Sequence, residues 1–199
     1  MKNLIKKSVL MAMLMIALVS NASEKNVSLK IISHESKVVQ LILNSHDGSS
    51  EVFIKDKKGF QLYKVLIKDK EFLKKFDLSE LPDGEYYFEI NSQTKIVTKP
   101  FSVASNTLEF SKETIVFKPI VRFKNDIIYL SKFTLHNETL DVFLYDDNQH
   151  LLYSEKLFGQ NNLNRKLNLS NLDSGSYSLV LKSEGKLYNE VFKKVNLKK

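Results

Sequence analysis

One stretch of this chain is written twice. Leu78-Ser79-Glu80-Leu81-Pro82-Asp83-Gly84-Glu85-Tyr86 returns 91 residues later as Leu169-Ser170-Asn171-Leu172-Asp173-Ser174-Gly175-Ser176-Tyr177. Upstream, Val52-Phe53-Ile54-Lys55-Asp56 answers Val142-Phe143-Leu144-Tyr145-Asp146, and Leu62-Tyr63 answers Leu152-Tyr153, at an offset of 90, so one residue was gained in the loop between. Solenoid repeats run roughly 20–50 residues; a period this long suits a complete small β domain. The chain therefore reads as residues 23–104 and 105–199, two tandem copies of one domain, behind an N-terminal segment of residues 1–22.

That segment has the layout of a secretory signal. Met1 to Lys7 carries three lysines and no acid, Ser8 to Ser20 is nearly all apolar, and Ser20-Asn21-Ala22 offers small residues at the two cleavage-site positions. The apolar run is too short to span a bilayer as a stable helix. Cleavage after Ala22 and an exported protein are therefore expected, periplasmic, surface-bound or secreted, with no transmembrane segment in the mature chain. Without Lys2, Lys6 and Lys7 the 30 basic residues fall to 27 against 23 acidic ones, a formal +4 spread along both copies. This is a solvated, mildly basic surface, without a motif of a nucleic-acid module, so no nucleic-acid partner is expected. The chain has no cysteine, so a lipid-anchored terminus and a disulfide framework are both closed. Each copy must hold together by apolar packing near the lower size limit for doing so.

The remaining sequence alternates with the period of a strand. Leu29, Ile31, Val39, Leu41 and Leu43 are spaced by twos, Val52 and Ile54 continue with Phe53 on the other face, and Phe60 to Ile67 returns across the Lys55-Asp56-Lys57-Lys58-Gly59 turn. Lys68 to Lys75 reads as an extended connection, as does Phe158 to Asn162 in copy two. Glu85 to Asn91 and Ile96 to Val103 finish copy one, and Ala104-Ser105-Asn106-Thr107 is the candidate linker. In copy two, strands are expected at Glu113 to Lys118, Ile127 to Leu135, Leu140 to Tyr145, Leu151 to Lys156, Asn164 to Leu169, Tyr177 to Lys182 and Leu187 to Asn196, with Pro119 at an edge or strand end. Six or seven short strands per copy, with turn signals every 8–12 residues, imply an all-β fold of two tandem β-sandwiches; a closed barrel is the alternative.

The duplicated Leu-x-x-Gly-x-Tyr, at Leu81/Gly84/Tyr86 and Leu172/Gly175/Tyr177, has the form of a tyrosine corner. In that device the phenol returns its hydroxyl to backbone a few residues upstream, the Leu buries and the Gly permits a tight turn. Together with the Val-Phe-x-x-Asp hairpin and the ending Gly175-Ser176-Tyr177-Ser178-Leu179-Val180-Leu181, Gly185-Lys186, Val191-Phe192-Lys193-Lys194-Val195, it resembles the immunoglobulin-like modules of exported Bacteroidetes proteins. It is especially similar to the carboxy-terminal sorting domains of the type IX secretion system. The resemblance implies immunoglobulin-like or fibronectin III-like sandwiches, and passage of the chain across an outer membrane. It departs in having no Pro-Asn-Pro opening, and in placing Gln149-His150 where copy one has Gly59.

Catalytic signatures are missing. His34, His46, His136 and His150 have no metal-ligand spacing. Asp146-Asp147-Asn148 offers three oxygen donors where calcium wants six to eight, and the same residues suit a hairpin turn. There is no nucleophile elbow, phosphate loop or dinucleotide fingerprint. The expectation is a non-enzymatic binding or adhesion module without cofactor or metal, taking a protein or glycan partner at the cell envelope. Its candidate surfaces are the tips Asp56 to Gly59 and Asp146 to His150 and the groove beside residues 104–107. The alternative is a terminal sorting signal, and behind it a hydrolase with an inter-domain site.

Overall fold

The computed structural model describes residues 30–34, 37–44, 48–69, 71–105, 107–159 and 161–195. The signal segment, its cleavage site at Ala22, Leu29 and His46 lie outside these residues. Among the described residues there is no helix, and hence none long and apolar enough to cross a membrane.

Copy one contains β1 (Lys30–His34), β2 (Val38–Asn44), β3 (Ser50–Asp56), β4 (Gln61–Ile67), β5 (Glu71–Asp77), β6 (Gly84–Asn91) and β7 (Lys95–Ala104). Two short strands follow, β8 (Thr107–Phe110) and β9 (Thr114–Phe117). Copy two contains β10 (Ile120–Lys124), β11 (Ile127–Phe133), β12 (Leu140–Tyr145), β13 (Leu151–Leu157), β14 (Asn162–Asn168), β15 (Gly175–Ser183) and β16 (Lys186–Lys194). The two copies share one topology. In the first, β1-β2-β5 faces β4-β3-β6-β7; in the second, β10-β11-β14 faces β13-β12-β15-β16. Each copy thus contains the same seven-stranded antiparallel sandwich, and the repeat and turn spacing imply a sandwich of this kind.

Alternation produces two separate cores. Val39, Leu41 and Leu43 of β2 meet Phe88 and Ile90 of β6 in the first; Ile128 and Leu130 of β11 meet Leu179 and Leu181 of β15 in the second. Each such side chain taken out of water contributes roughly 1.5–3 kcal/mol. The Tyr86 hydroxyl donates to Pro82 O at 2.9 Å and the Tyr177 hydroxyl to Asp173 O at 2.8 Å, a contact worth about 1 kcal/mol when the phenol is buried. The buried leucines of the repeated segment are Leu78 and Leu169, while Leu81 and Leu172 pack only partly against the cores. Neither Gly84 nor Gly175 has positive φ. The Tyr86 ring lies 3.5 Å from where a Gly84 Cβ would stand, an ordinary contact distance, so neither space nor φ demands glycine there.

Four expectations are corrected. Residues 68–75 are not a connection: β5 occupies Glu71–Asp77 and pairs with β2. Its inward set is Phe72, Lys74 and Phe76, with Leu73 outside, so the lysines hide the period. In copy two β14 likewise takes in Asn162. The expected linker does not separate two domains, since Ala104 pairs with Thr107 and Ser105 stands at φ 47°. Nor does copy one end at residue 104, because β8 and β9 both pair with β7 and bring Leu108, Phe110 and Ile115 against the first core. Lastly, Ile120–Lys124 is a strand that alternation within so few residues did not reveal; Pro119 immediately precedes it, where its missing N–H costs no ladder bond.

Candidate binding face

The β10–β11 hairpin turns on Asn125 and Asp126, both at positive φ (51° and 58°), as a two-residue turn that matches strand twist requires. Val121 and Phe123 of β10 pack against the core, which turns Ile120, Arg122 and Lys124 outward. On β11 the buried Ile128 and Leu130 leave Ile127, Tyr129, Ser131 and Phe133 outside, and on β14 Leu163 and Leu167 leave Asn162, Asn164, Lys166 and Asn168 outside. Strand pairing sets these in rows. Arg122, Tyr129 and Lys166 lie side by side, flanked by the row Ile120, Ser131, Asn164 and the row Lys124, Ile127, Asn168.

The outer face of β10-β11-β14 therefore carries three cations, four polar amide or hydroxyl groups and one central phenol, and no carboxylate. The first two rows border an open groove of about 730 Å³. Tyr129 is 38% exposed, and the Lys166 ammonium stands 5.5 Å from its ring centroid, within cation–π range. Among the described residues, Arg122, Lys124 and Lys166 make no ion pair. Arg165, which also borders the groove, is engaged elsewhere. It is half-buried, on the opposite phase of β14 from Lys166, and donates to Glu155 of β13, which also accepts the Tyr153 hydroxyl. The Tyr153 hydrogen bond, with burial opposing it and Arg165 assisting, holds the Glu155 carboxyl below the usual range. Copy one repeats this tie as Lys74 Nζ donating to the Tyr63 hydroxyl at 2.6 Å.

The same row of copy one is built differently. Lys75 is the counterpart of Lys166, and across from it stand Gln40 and then Ile32, where copy two has Tyr129 and Arg122. Leu73 and Asp77 take the places of Asn164 and Asn168. One scaffold, used twice in one chain, carries Arg122, Tyr129 and Lys166 along this row in its second copy and Ile32, Gln40 and Lys75 in its first.

The surfaces singled out from sequence are occupied by turn chemistry. The Asp56 carboxylate accepts from Phe60 N at 2.8 Å. The Asp146 carboxylate accepts from Asn148 N at 2.9 Å and His150 N at 2.7 Å, and the His150 ring lies against it at 2.9 Å. Near residues 104–107, β6 and β7 border a smaller recess of about 340 Å³ with Tyr87, Pro100 and Ser111. Among the described residues no group of three or more His, Asp or Glu is placed to hold a metal ion. The corner residues Leu81, Gly84, Tyr86, Leu172, Gly175 and Tyr177 belong to the scaffold and not to the groove. Sequence reasoning passed over Arg122, Tyr129 and Lys166. The available signal was a run of outward positions without an acid, legible only once β10 is known to be a strand.

No family model and no curated protein matches the chain. Solved structures to which it is similar include a biofilm associated protein, BSP domain, at 14% identity and TM-score 0.29, over 83% of this chain and 29% of that one. A two-domain fibronectin type III segment of chicken tenascin aligns at 9% identity and TM-score 0.30, over 84% of this chain and 98% of that one. The human OSCAR ligand-binding domain aligns at 11% identity and TM-score 0.26, over 83% of this chain and 96% of that one. This chain spans less than a third of the biofilm-associated chain. Likenesses this distant say nothing of what it binds.

Proposed function

We propose that the chain is an exported, non-enzymatic binding module of the cell envelope, and that its ligand surface is the outer face of β10-β11-β14. One observation carries this reading: Arg122, Tyr129 and Lys166 share a register row on an open groove, the cations in no ion pair among the described residues, where copy one has Ile32, Gln40 and Lys75. Cations without a counter-charge beside a half-exposed ring do little for the stability of a sheet and much for recognition. Residues 23–199, labelled, are expected to adhere to surface material from the producing cells. Adhesion should fall with Arg122→Gln or Tyr129→Ala and persist with Gln40→Ala. Equal adhesion by all variants would remove the groove from the function.

A second reading rests on the resemblance of β12 to β16 to type IX sorting modules, with copy two addressing the chain for export. It predicts that a reporter fused ahead of residues 118–199 accumulates outside the cell, and that the groove substitutions change adhesion without changing that export.

A further inference from the structure

Granting that the groove is the binding face, we infer that its ligand is a linear polysaccharide carrying uronic-acid carboxylates. The charge pattern sets the sign, since the outward positions of β10, β11 and β14 hold Arg122, Lys124 and Lys166 and no acid. Arg122 and Lys166 stand one strand to either side of Tyr129. At about 4.8 Å between strands they are roughly 10 Å apart, a span that two linked pyranose rings cover. A sugar ring laid on the exposed phenol would bring acidic substituents toward both cations. The planar guanidinium of Arg122 matches the two oxygens of a carboxylate. Asn164 and Ser131 in the adjoining row both donate and accept, as sugar hydroxyls do.

Other polyanions fit less well. Single-stranded nucleic acid is held by successive aromatic side chains, one per stacked base, and the groove has Tyr129 alone. An acidic peptide in extended form gains its affinity from unpaired main-chain groups at a sheet edge; it would add beside β10 or β14, the edges of this sheet, and not across Tyr129 on the paired central strand.

The test is affinity electrophoresis of residues 23–199 through gels holding soluble polyuronate (polygalacturonate or alginate). Dextran, dextran sulfate, poly-glutamate and oligo-dT of similar length serve as comparisons. Retardation by polyuronate and not by dextran is expected, weakening with salt. Tyr129→Ala and, separately, Arg122→Gln should each weaken it about tenfold, while Gln40→Ala leaves it unchanged. Both altered side chains are at the surface, and an unchanged urea midpoint shows that the variants fold. Retardation as strong by dextran sulfate, poly-glutamate or oligo-dT, or undiminished in Tyr129→Ala, would overturn the uronate assignment in favour of charge alone. If groove variants lose adhesion to cells and polyuronate neither binds nor competes, the groove stands as the binding face and this ligand class falls. If groove variants adhere normally, both fall together.

Discussion

Copy one places Leu43 in the middle of its core, and copy two puts Lys132 at the equivalent position; both are 1% exposed. The equivalence follows from the sheets, since Leu43 pairs with Phe72 and Lys132 with Leu163, which are repeat partners. The Lys132 ammonium makes no hydrogen bond among the described residues, and its nearest counter-charge is the Glu184 carboxylate at 4.0 Å. Removing an ammonium from water costs several kcal/mol, which an ion pair at that separation does not return in full. Lys132→Leu is therefore expected to stabilise the protein by about 1–4 kcal/mol, read as a higher urea midpoint with unchanged slope. A loss of stability would show that the ammonium is satisfied where it sits. The tyrosine corners were legible because every residue that makes one lies within nine positions of sequence. Lys132 was not. In Ile127 to Leu135 both phases of the alternation hold apolar residues, and Tyr129, Phe133 and Leu135 would have made the more convincing core. A strand's period says that two faces exist; only its neighbours decide which one is buried.

At the scale of an element, the β3–β4 and β12–β13 hairpins show one geometry reached by two sequences. Gly59 takes φ 87° and Gln149 takes φ 64° at the same turn position, and each turn is closed by an aspartate that accepts main-chain hydrogens. Burial pushes the Asp146 carboxyl up, but hydrogen bonds from His150 and Asn148 outweigh it and leave the group below its ordinary 3.8. A carboxyl depressed in the folded state contributes stability that is complete above the unfolded value and is lost as pH falls through the folded one. Asp146→Asn keeps an acceptor for the turn but removes the charge. The gap between its urea midpoint and that of the parent protein is expected to be widest near neutrality and to close as pH falls below the ordinary 3.8 and through the folded value. A gap independent of pH would mean that shape, and not charge, holds the turn. The hairpins themselves were readable from Asp, Asn and Gly between alternating runs. The β9 strand was readable too, as the expected strand Glu113 to Lys118, but was assigned to copy two; β8 was not, because Thr107 to Phe110 is only four residues long and takes its conformation from the β7 edge it covers. The matching edge of β16 pairs with no strand among the described residues, and Glu190 and Lys193 there discourage pairing with another chain.

Over the whole molecule, duplication explains the two cores but not how they are joined. A chain leaving β7 and passing straight into the second copy would separate the ends of the two sandwiches. Instead β8 and β9 run back along β7 to the β6–β7 turn, where Lys118 N donates to Thr94 O at 2.8 Å and its ammonium to Ser92 O at 2.5 Å. Burial lowers the Lys118 pKa, with Glu51 opposing that and Lys186 of copy two adding to it. The copies also touch through an edge-to-face pair between Phe117 of β9 and Phe133 of β11, centroids 4.9 Å apart. Such a pair contributes about 0.5–1.5 kcal/mol beyond its buried area, enough to couple local opening in one copy to the other. Phe133 is 42% exposed, so Phe133→Ala should cost the second core little. Hydrogen exchange at the β9 amides that bond to β7 and at Lys118, which bonds to Thr94, should nonetheless quicken about fivefold to tenfold, because their closed state loses its brace. Exchange in β2 and β6 should not change. If β9 exchanges at its original rate, the ring contact is incidental and the two sandwiches open independently. Acceleration confined to β9 and Lys118 would identify the strand pair that completes the first sandwich as the element that also holds the second against it.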